Sequence, residues 1–170
     1  LRAVDRRHVR RGGDRDRGED RTETVAAADF DRISVAGVFE LDVAVGGDYS
    51  VTLSGKDEDV ARTTATVENG VLVLDTGERN REGKHRFIKH GVTAKVTLPM
   101  LNGVDVAGVV DGEIRGVNAE DFSADISGVG DLELSGTCGS FDADVSGVGE
   151  LDAEELQCRS VKIDVSGVGE

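Results

Sequence analysis

Apolar and polar residues alternate over most of this chain, in a pattern that predicts β-strands rather than helices. From residue 30 to residue 45, apolar side chains recur mostly at every second position, with a break at Gly37. Alternate residues of a strand point to opposite faces, so such a run predicts one buried and one exposed face. The pair Asn69-Gly70 between two short apolar runs predicts a hairpin with a type I′ turn, because both residues tolerate positive φ.

Beyond residue 100 the alternation becomes a repeat of about 20 residues. The segments DISGVGD, DVSGVGE and DVSGVGE begin at Asp125, Asp144 and Asp164, and a weaker copy, DVAGVVD, begins at Asp105. This period with strand-like patterning is typical of a solenoid, in which each rung buries its apolar face on its neighbours. We therefore predict an all-β fold: a right-handed parallel β-helix, or β-solenoid, preceded by a more irregular N-terminal β region that contains the hairpin.

The phase of the repeat assigns its positions to columns of stacked side chains. Apolar columns, such as Phe122 with Phe141, are expected inside. Serine and two glycines are expected to form a corner, where glycine adopts positive φ and the serines hydrogen-bond along the ladder. A phosphate loop is disfavoured, because strands and not a helix follow these glycines. The corner residues are Ser127, Gly128, Gly130, Ser146, Gly147, Gly149, Ser166, Gly167 and Gly169.

Acidic side chains are expected to stack outside, in two columns. Carboxylates on strands about 4.8 Å apart repel each other unless cations or water screen them. A calcium or other cation site is therefore considered, although a solvated acidic face is the preferred interpretation and no cofactor is expected. One column holds Asp105, Asp125, Asp144 and Asp164, and the other holds Asp111, Asp131, Glu150 and Glu170; the candidate metal ligands are Asp125, Asp144, Asp164, Asp131 and Glu150.

Two cysteines, Cys138 and Cys158, occupy the same phase in consecutive rungs. Their expected separation permits a disulfide. The preferred interpretation is instead a column of small inward residues that also contains Ala119. Two cysteines alone leave the redox compartment open.

The charge of the chain is strongly negative and unevenly distributed. A formal net charge of -14 opposes binding to nucleic acids and to anionic lipids. Residues 1–28 mix charges of both signs with glycine and have few apolar side chains to bury, and they predict a disordered linker. Residues 29–100 are assigned to an N-terminal β portion and 101–170 to the repeats, together one domain. A basic segment stands out as a candidate loop for an acidic glycan or another copy, against the more common solvated loop: Arg79, Arg81, Lys84, Arg86 and Lys89.

The two ends of the sequence carry further expectations. No stretch approaches the roughly 18 apolar residues that span a bilayer, and the chain begins with Leu1, so an export signal or anchor is expected to have preceded it. Glu170 has the phase of Glu150, which leaves the last rung with an open edge. Open edges invite pairing; either a longer chain or self-association through this C-terminal edge is expected to cover it.

No catalytic motif is found in the sequence. It lacks G-x-S-x-G, H-E-x-x-H, a P-loop and a zinc-type cysteine and histidine spacing. The acidic residues recur in every rung instead of standing out in one. We therefore expect no catalytic residues and no enzyme activity.

The order of these features resembles a known family. The segments FDRISVAGVFELDV at 30–43, VENGVLVLDT at 67–76, VTLP at 96–99 and the repeated SGVG are similar to the head GIN domain of putative auto-transporter adhesins. The resemblance covers residues 29–170 and implies a bacterial envelope or secreted β-solenoid without catalytic residues to carry over. Residues 107–110, AGVV, depart from the pattern because they lack the serine and second glycine.

These observations favour a non-catalytic, extracytoplasmic module of the cell envelope or surface, an adhesin or scaffold that binds an unidentified glycan or protein through its solenoid surface. A periplasmic or secreted location is equally compatible. Two alternatives stay open: a polysaccharide-binding or polysaccharide-degrading β-helix, and an envelope-stress or signalling accessory domain.

Overall fold

The computed structural model describes residues 2–4, 20–76 and 91–169, and over these residues the chain is all-β with one short helix. The alternation of apolar and polar residues accounts for this, since strands such as Arg32–Ala36, Val92–Leu98 and Val109–Ile126 bury largely alternate side chains. The elements are β1 (Arg2–Val4), β2 (Asp20–Val25), β3 (Arg32–Ala36), β4 (Val38–Val45), β5 (Ser50–Lys56), α1 (Asp57–Arg62), β6 (Thr64–Glu68), β7 (Val71–Asp75), β8 (Val92–Leu98), β9 (Gly103–Val106), β10 (Val109–Ile126), β11 (Val129–Val145), β12 (Val148–Val165) and β13 (Val168–Gly169).

The repeats lie side by side as parallel strands. β10 pairs with β11 and β11 with β12, and equivalent residues of successive repeats are neighbours: Phe122 lies beside Phe141, which lies beside Val161. The register between β10 and β11 shifts between Ile114 and Val117, and the register between β11 and β12 shifts between Glu133 and Ser135. The stacked columns are therefore those that the phase of the repeat predicts.

The N-terminal β region is more regular than the sequence suggested. β3 and β4 continue the parallel stack, because β3 pairs with β9 and β4 pairs with β10. Gly37, between them, occupies the corner position that Gly108 occupies between β9 and β10. The segment VAGVFE at 35–40 thus matches VAGVVD at 106–111, and one unit of the stack precedes the repeat.

The sheet bends round on itself because β10 has two neighbours on the same side. Its residues 109–115 pair with β4, and its residues 123–126 pair with β9. The result is a nearly closed, barrel-like sheet with the apolar columns inside. Phe122 and Phe141 are fully buried there, with stacked rings whose centroids are 5.9 Å apart.

The predicted hairpin is present. β6 and β7 pair antiparallel around Asn69 and Gly70, which have φ values of 52° and 77°. Both values lie in the left-handed region that a type I′ turn requires. β7 also pairs in parallel with β3, so the hairpin covers one side of the stack.

The predicted linker, residues 1–28, contains two strands, β1 and β2, which pair antiparallel with each other. β2 pairs antiparallel with β5, which itself pairs with β8. The sequence analysis overlooked β2 because its residues are mostly polar. Strand pairing uses backbone hydrogen bonds, so the edge of β5 can pair with a polar segment.

The candidate loop residues Arg79, Arg81, Lys84, Arg86 and Lys89 lie outside the described residues. In the part of the chain that is described, no helix has the length and apolar character needed to cross a membrane.

Candidate functional site

The corners of the stack bring backbones closer together than any side chain would allow. A Cβ on Gly128 would collide with the carbonyl oxygen of Gly108, a Cβ on Gly147 with that of Gly128, and a Cβ on Gly167 with that of Gly147. None of these three glycines has positive φ. The expected reason for glycine was therefore wrong: the corner requires it for close approach between repeats and not for a left-handed backbone.

The amide groups at the corners are used within the stack. The Val129 N–H donates to the Gly108 carbonyl over 2.9 Å, and the Val148 N–H donates to the Gly128 carbonyl over 3.0 Å. The Ser127 hydroxyl donates to the Val106 carbonyl over 3.3 Å, and so reaches the backbone and not another serine. These corner amides are occupied, which leaves them unable to cradle a phosphate.

A column of valines follows the corners on the outer face of β4, β10, β11, β12 and β13. Each is the neighbour of the next in the parallel register. Val109, Val129 and Val148 are each about half exposed, at 50%, 50% and 52%. We call this set the valine column: Val38, Val109, Val129, Val148 and Val168.

Two columns of acidic residues run beside the valine column on the same outer face, because residues two and four positions later in a strand share its face. The parallel register aligns both of them. The first acidic column contains Glu40, Asp111, Asp131 and Glu150, and the second acidic column contains Asp42, Glu113, Glu133 and Asp152.

The sequence analysis found part of the first acidic column and missed the second entirely. Glu113, Glu133 and Asp152 recur at the same period as the column that was found, and this periodicity was the available signal. Glu170, assigned to the first acidic column from its phase, lies outside the described residues.

Few basic groups neutralise these two columns within the described residues. The Arg115 guanidinium lies 2.9 Å from the Asp42 carboxylate and 3.7 Å from the Glu113 carboxylate. Lys95 is the strand neighbour of Asp42. No ion pair is seen in the described part of the chain for Asp131 or Glu133. A groove of about 320 Å³ follows the two acidic columns, and a second of about 370 Å³ follows the valine column.

The aspartate column predicted from the repeat lies on a different outer face, along β9 to β12. The register aligns Asp105, Asp125, Asp144 and Asp164. A groove of about 580 Å³ there is lined by Arg32, Ser34 and the first three of these aspartates, among others. Partial burial, and then the neighbouring Asp125 carboxylate, raise the pKa of Asp105 above its ordinary value.

The candidate metal ligands do not converge on a common point. In the residues that the structure describes, no group of three or more acidic, histidine or cysteine side chains is arranged to hold a metal ion. The physical reason is that side chains of one column project outward side by side. Asp125, Asp144, Asp164, Asp131 and Glu150 thus form rows and not a coordination shell. Such rows can attract a cationic surface.

The raised pKa of Asp105 gives a testable pH dependence. The carboxyl of Asp105 binds its proton more tightly in the native chain than in the unfolded chain. Its effect on the free energy of unfolding is therefore smallest below the ordinary aspartate pKa, where both states are protonated. The native state is increasingly destabilised as the pH rises from there through the raised pKa. Asp105→Asn should therefore raise the free energy of unfolding at neutral pH, measured by urea denaturation, by less than about 1 kcal/mol, because the side chain is only partly buried and water screens its charge. The gain should disappear near pH ~3.

Asp164→Asn, at the exposed end of the same column, is the matched control for this measurement. An equal gain at pH ~7 and pH ~3 in the Asp105 variant would contradict the electrostatic explanation.

Cys138 and Cys158 form a disulfide between β11 and β12. The two residues are direct neighbours in the register, with Cα atoms 4.5 Å apart. This distance lies within the ordinary range for a disulfide. The preferred interpretation of two unbonded inward side chains was wrong, because in-register parallel neighbours bring the two sulfurs together.

The C-terminal half of β12 has an exposed apolar row. Val161, Ile163 and Val165 belong to inward columns, yet they are 57%, 56% and 47% exposed. Their partners on the previous strand, Phe141 and Val145 among them, are buried. What covers this row, whether a longer chain or a second copy, stays a prediction.

Comparison with known proteins supports the resemblance seen in the sequence. A family model described as "Putative auto-transporter adhesin, head GIN domain" matches residues 29–170. No curated protein matches the chain.

Solved structures show the same fold at low identity. A putative adhesin from Bacteroides fragilis NCTC 9343 is 23% identical with a TM-score of 0.73, and the match covers 89% of this chain and 78% of that one. A putative adhesin from Parabacteroides distasonis ATCC 8503 is 16% identical with a TM-score of 0.53, covering 89% and 80%. A third, from Parabacteroides merdae ATCC 43184, is 14% identical with a TM-score of 0.50 and the same coverage.

Proposed function

Since the chain belongs to the family of putative auto-transporter adhesins with a head GIN domain, we propose that it is a non-catalytic binding module of the bacterial cell envelope or surface. It binds a partner through the outer face of its strand stack. The observation that carries this proposal is the regular presentation of like side chains in exposed columns, one per repeat. A row of aligned side chains suits contact with an extended partner.

The proposed backbone is a right-handed parallel β-solenoid. Successive repeats pair in parallel at offsets of 19 and 20 residues, which is one turn of such a coil. Connections between parallel strands of one sheet are right-handed in the great majority of proteins. A crystal structure of the chain would test both the winding and its hand.

The proposed location is outside the cytoplasm. The disulfide between Cys138 and Cys158 supports it, because disulfides persist in oxidising compartments and are rare in reducing ones. The adhesin family to which the chain belongs supports it as well.

Protease treatment of intact cells tests the location. The full natural gene, with its own N-terminus, should yield a protein that externally added protease removes before a cytoplasmic marker is cut. Complete protection until the envelope is opened, combined with free thiols at Cys138 and Cys158, would exclude the proposed location.

Bead retention tests the binding function. Beads that carry the purified chain should adhere to a layer of host-cell or bacterial surface proteins more strongly than beads that carry an unrelated protein of equal negative charge. Equal retention of the two bead types would contradict an adhesive role. This measurement does not depend on the location of the protein in its own cell.

A second candidate function is carbohydrate binding in the groove along the aspartate column. The observation that favours it is the groove of about 580 Å³, which combines Arg32 and hydroxyl groups with stacked aspartates. Changing Asp125, Asp144 and Asp164 together to asparagine should then abolish retention on an immobilised polysaccharide. Unchanged retention would show that these aspartates do not take part in binding. Release of reducing sugar ends from the polysaccharide would show that the chain cleaves it and is an enzyme.

A further inference from the structure

The valine column is an unpartnered apolar row on an otherwise charged outer face. Ordinary outward positions of a strand carry polar residues, yet all five units of the stack place valine here. The three central valines are half exposed and lie in register. Contiguous exposed apolar surface of this kind marks an interaction site more often than an accident of composition.

The charge beside the valine column restricts what can cover it. The first and second acidic columns place eight carboxylates next to the valines, and Arg115 is the basic residue that pairs with them in the described part of the chain. A second copy of this chain on the same face would bring two such acidic surfaces together. Like charges opposed in this way are unfavourable, so the face favours an occupant that carries positive charge.

The size of the face restricts the occupant further. Five valines spaced about 4.8 Å apart extend roughly 19 Å, and the three columns together are about 13 Å wide. The resulting area of about 250 Å² is well below the roughly 800 Å² that each partner contributes to a standard interface between globular proteins. It matches an extended segment of about six residues.

We propose that the valine column and the two acidic columns together form a docking site for an extended basic protein segment, in which lysine or arginine alternates with apolar residues. In such a segment alternate side chains point to opposite sides. With its backbone lying along the boundary between the valine column and the first acidic column, the segment directs its apolar row over the valines and its basic row over the carboxylates. This proposal rests on the proposed binding function and names the face and the chemistry of the partner.

A short synthetic peptide tests this site directly. The probe is a fluorescein-labelled (Lys-Val)₄ peptide, which extends about 26 Å, and the readout is its fluorescence anisotropy as the full chain is added. Binding should weaken strongly between about 50 mM and about 500 mM NaCl, because exposed charges are screened. A (Lys-Ser)₄ peptide should bind at least about fivefold more weakly, because it lacks apolar side chains for the valine column.

Two pairs of substitutions should weaken (Lys-Val)₄ binding. Asp131→Asn with Glu133→Gln removes two carboxylates of nearly unchanged shape and should raise the Kd about tenfold. Val129→Thr with Val148→Thr keeps β-branched residues at half-exposed positions and should raise the Kd about threefold. The matched control, Glu58→Gln with Glu120→Gln, removes the same charge from exposed sites elsewhere and should change the Kd by less than about twofold. Urea midpoints close to that of the natural chain will show that each variant is folded.

Several results would overturn the proposal. If the Asp131 and Glu133 variant and the control variant lose the same affinity for (Lys-Val)₄, overall charge and not this site explains binding. Equal affinity for (Lys-Ser)₄ and (Lys-Val)₄ would lead to the same conclusion. Sedimentation of the chain as a dimer that the valine substitutions dissociate would assign the face to a second copy. Peptide binding that strengthens when the basic side chains at 79–89 are changed to serine would assign it to this chain's own basic segment.

The outcomes also separate this proposal from the proposed function. If bead retention is normal but (Lys-Val)₄ does not bind, the adhesive role stands and this docking site fails. If the peptide binds with the expected pattern but bead retention equals that of the control beads, the docking site stands and the adhesive role fails.

Discussion

Gly128→Ala should lower the free energy of unfolding by about 2–4 kcal/mol, which is the largest effect we expect for a single substitution in this chain. The added Cβ would collide with the carbonyl oxygen of Gly108 and would lie about 3.0 Å from the Ala107 carbonyl carbon. The two backbones must separate to accept it. Overpacking of this kind costs about 1–3 kcal/mol, and each corner hydrogen bond that is lost adds about 1 kcal/mol.

Urea denaturation followed by circular dichroism measures this effect, and Ser146→Ala is the matched control. Ser146 lies at the equivalent of position 127 in the next corner, and its side chain is exposed, so its change should stay within about 0.5 kcal/mol. A Gly128 variant with the same urea midpoint as the natural chain would mean that the repeats are not as closely apposed as described. It would also remove the physical basis for glycine at Gly147 and Gly167.

Reduction of the disulfide should lower the free energy of unfolding by about 3 kcal/mol. Cys138 and Cys158 close a segment with a sequence separation of 20 residues, and a crosslink of that length restricts the unfolded chain by about this amount in the chain-entropy description. The bond joins β12, which ends in exposed apolar residues, to the better-covered β11. We therefore expect the loss to appear first in β12, as faster amide hydrogen exchange.

The double variant Cys138→Ala with Cys158→Ala provides the control for this measurement. Alanine fits the column, because Ala119 is the neighbour of Cys138 in β10. Reductant should shift the urea midpoint of the natural chain toward that of the variant, while the midpoint of the variant stays unchanged. Identical midpoints for the oxidised and reduced natural chain would show that the bond does not contribute to stability.

The sequence was sufficient to identify most of the stacked columns, because side chains in a parallel register obey one period. Phe122 and Phe141 are neighbours as the repeat predicts, and the hairpin at Asn69-Gly70 has the predicted backbone conformation. Local chemistry fixes both features. A turn needs only its own residues, and a repeat reveals its register through equal spacing.

The parts that were missed depend on contacts between distant segments. Residues of β3 and β4 lie 71 positions before their partners in β9 and β10, so the short match between 35–40 and 106–111 was overlooked. The second acidic column went unnoticed because its residues follow the repeated seven-residue segment, such as DISGVGD, instead of lying within it. The sequence showed that glycine recurs at the corners but not why glycine is needed there. The need arises from close approach between the backbones of two repeats, which the residues of one segment cannot reveal.

The two shifts of register in the stack explain why its repeats need not have equal length. Between β10 and β11 the offset changes from 20 to 19 residues between Ile114 and Val117, and between β11 and β12 it returns from 19 to 20 between Glu133 and Ser135. Both shifts lie at the same bend, away from the serine and glycine corner. Insertion or loss of a residue during evolution can therefore be absorbed at this bend, while the valine and acidic columns keep their alignment from one repeat to the next.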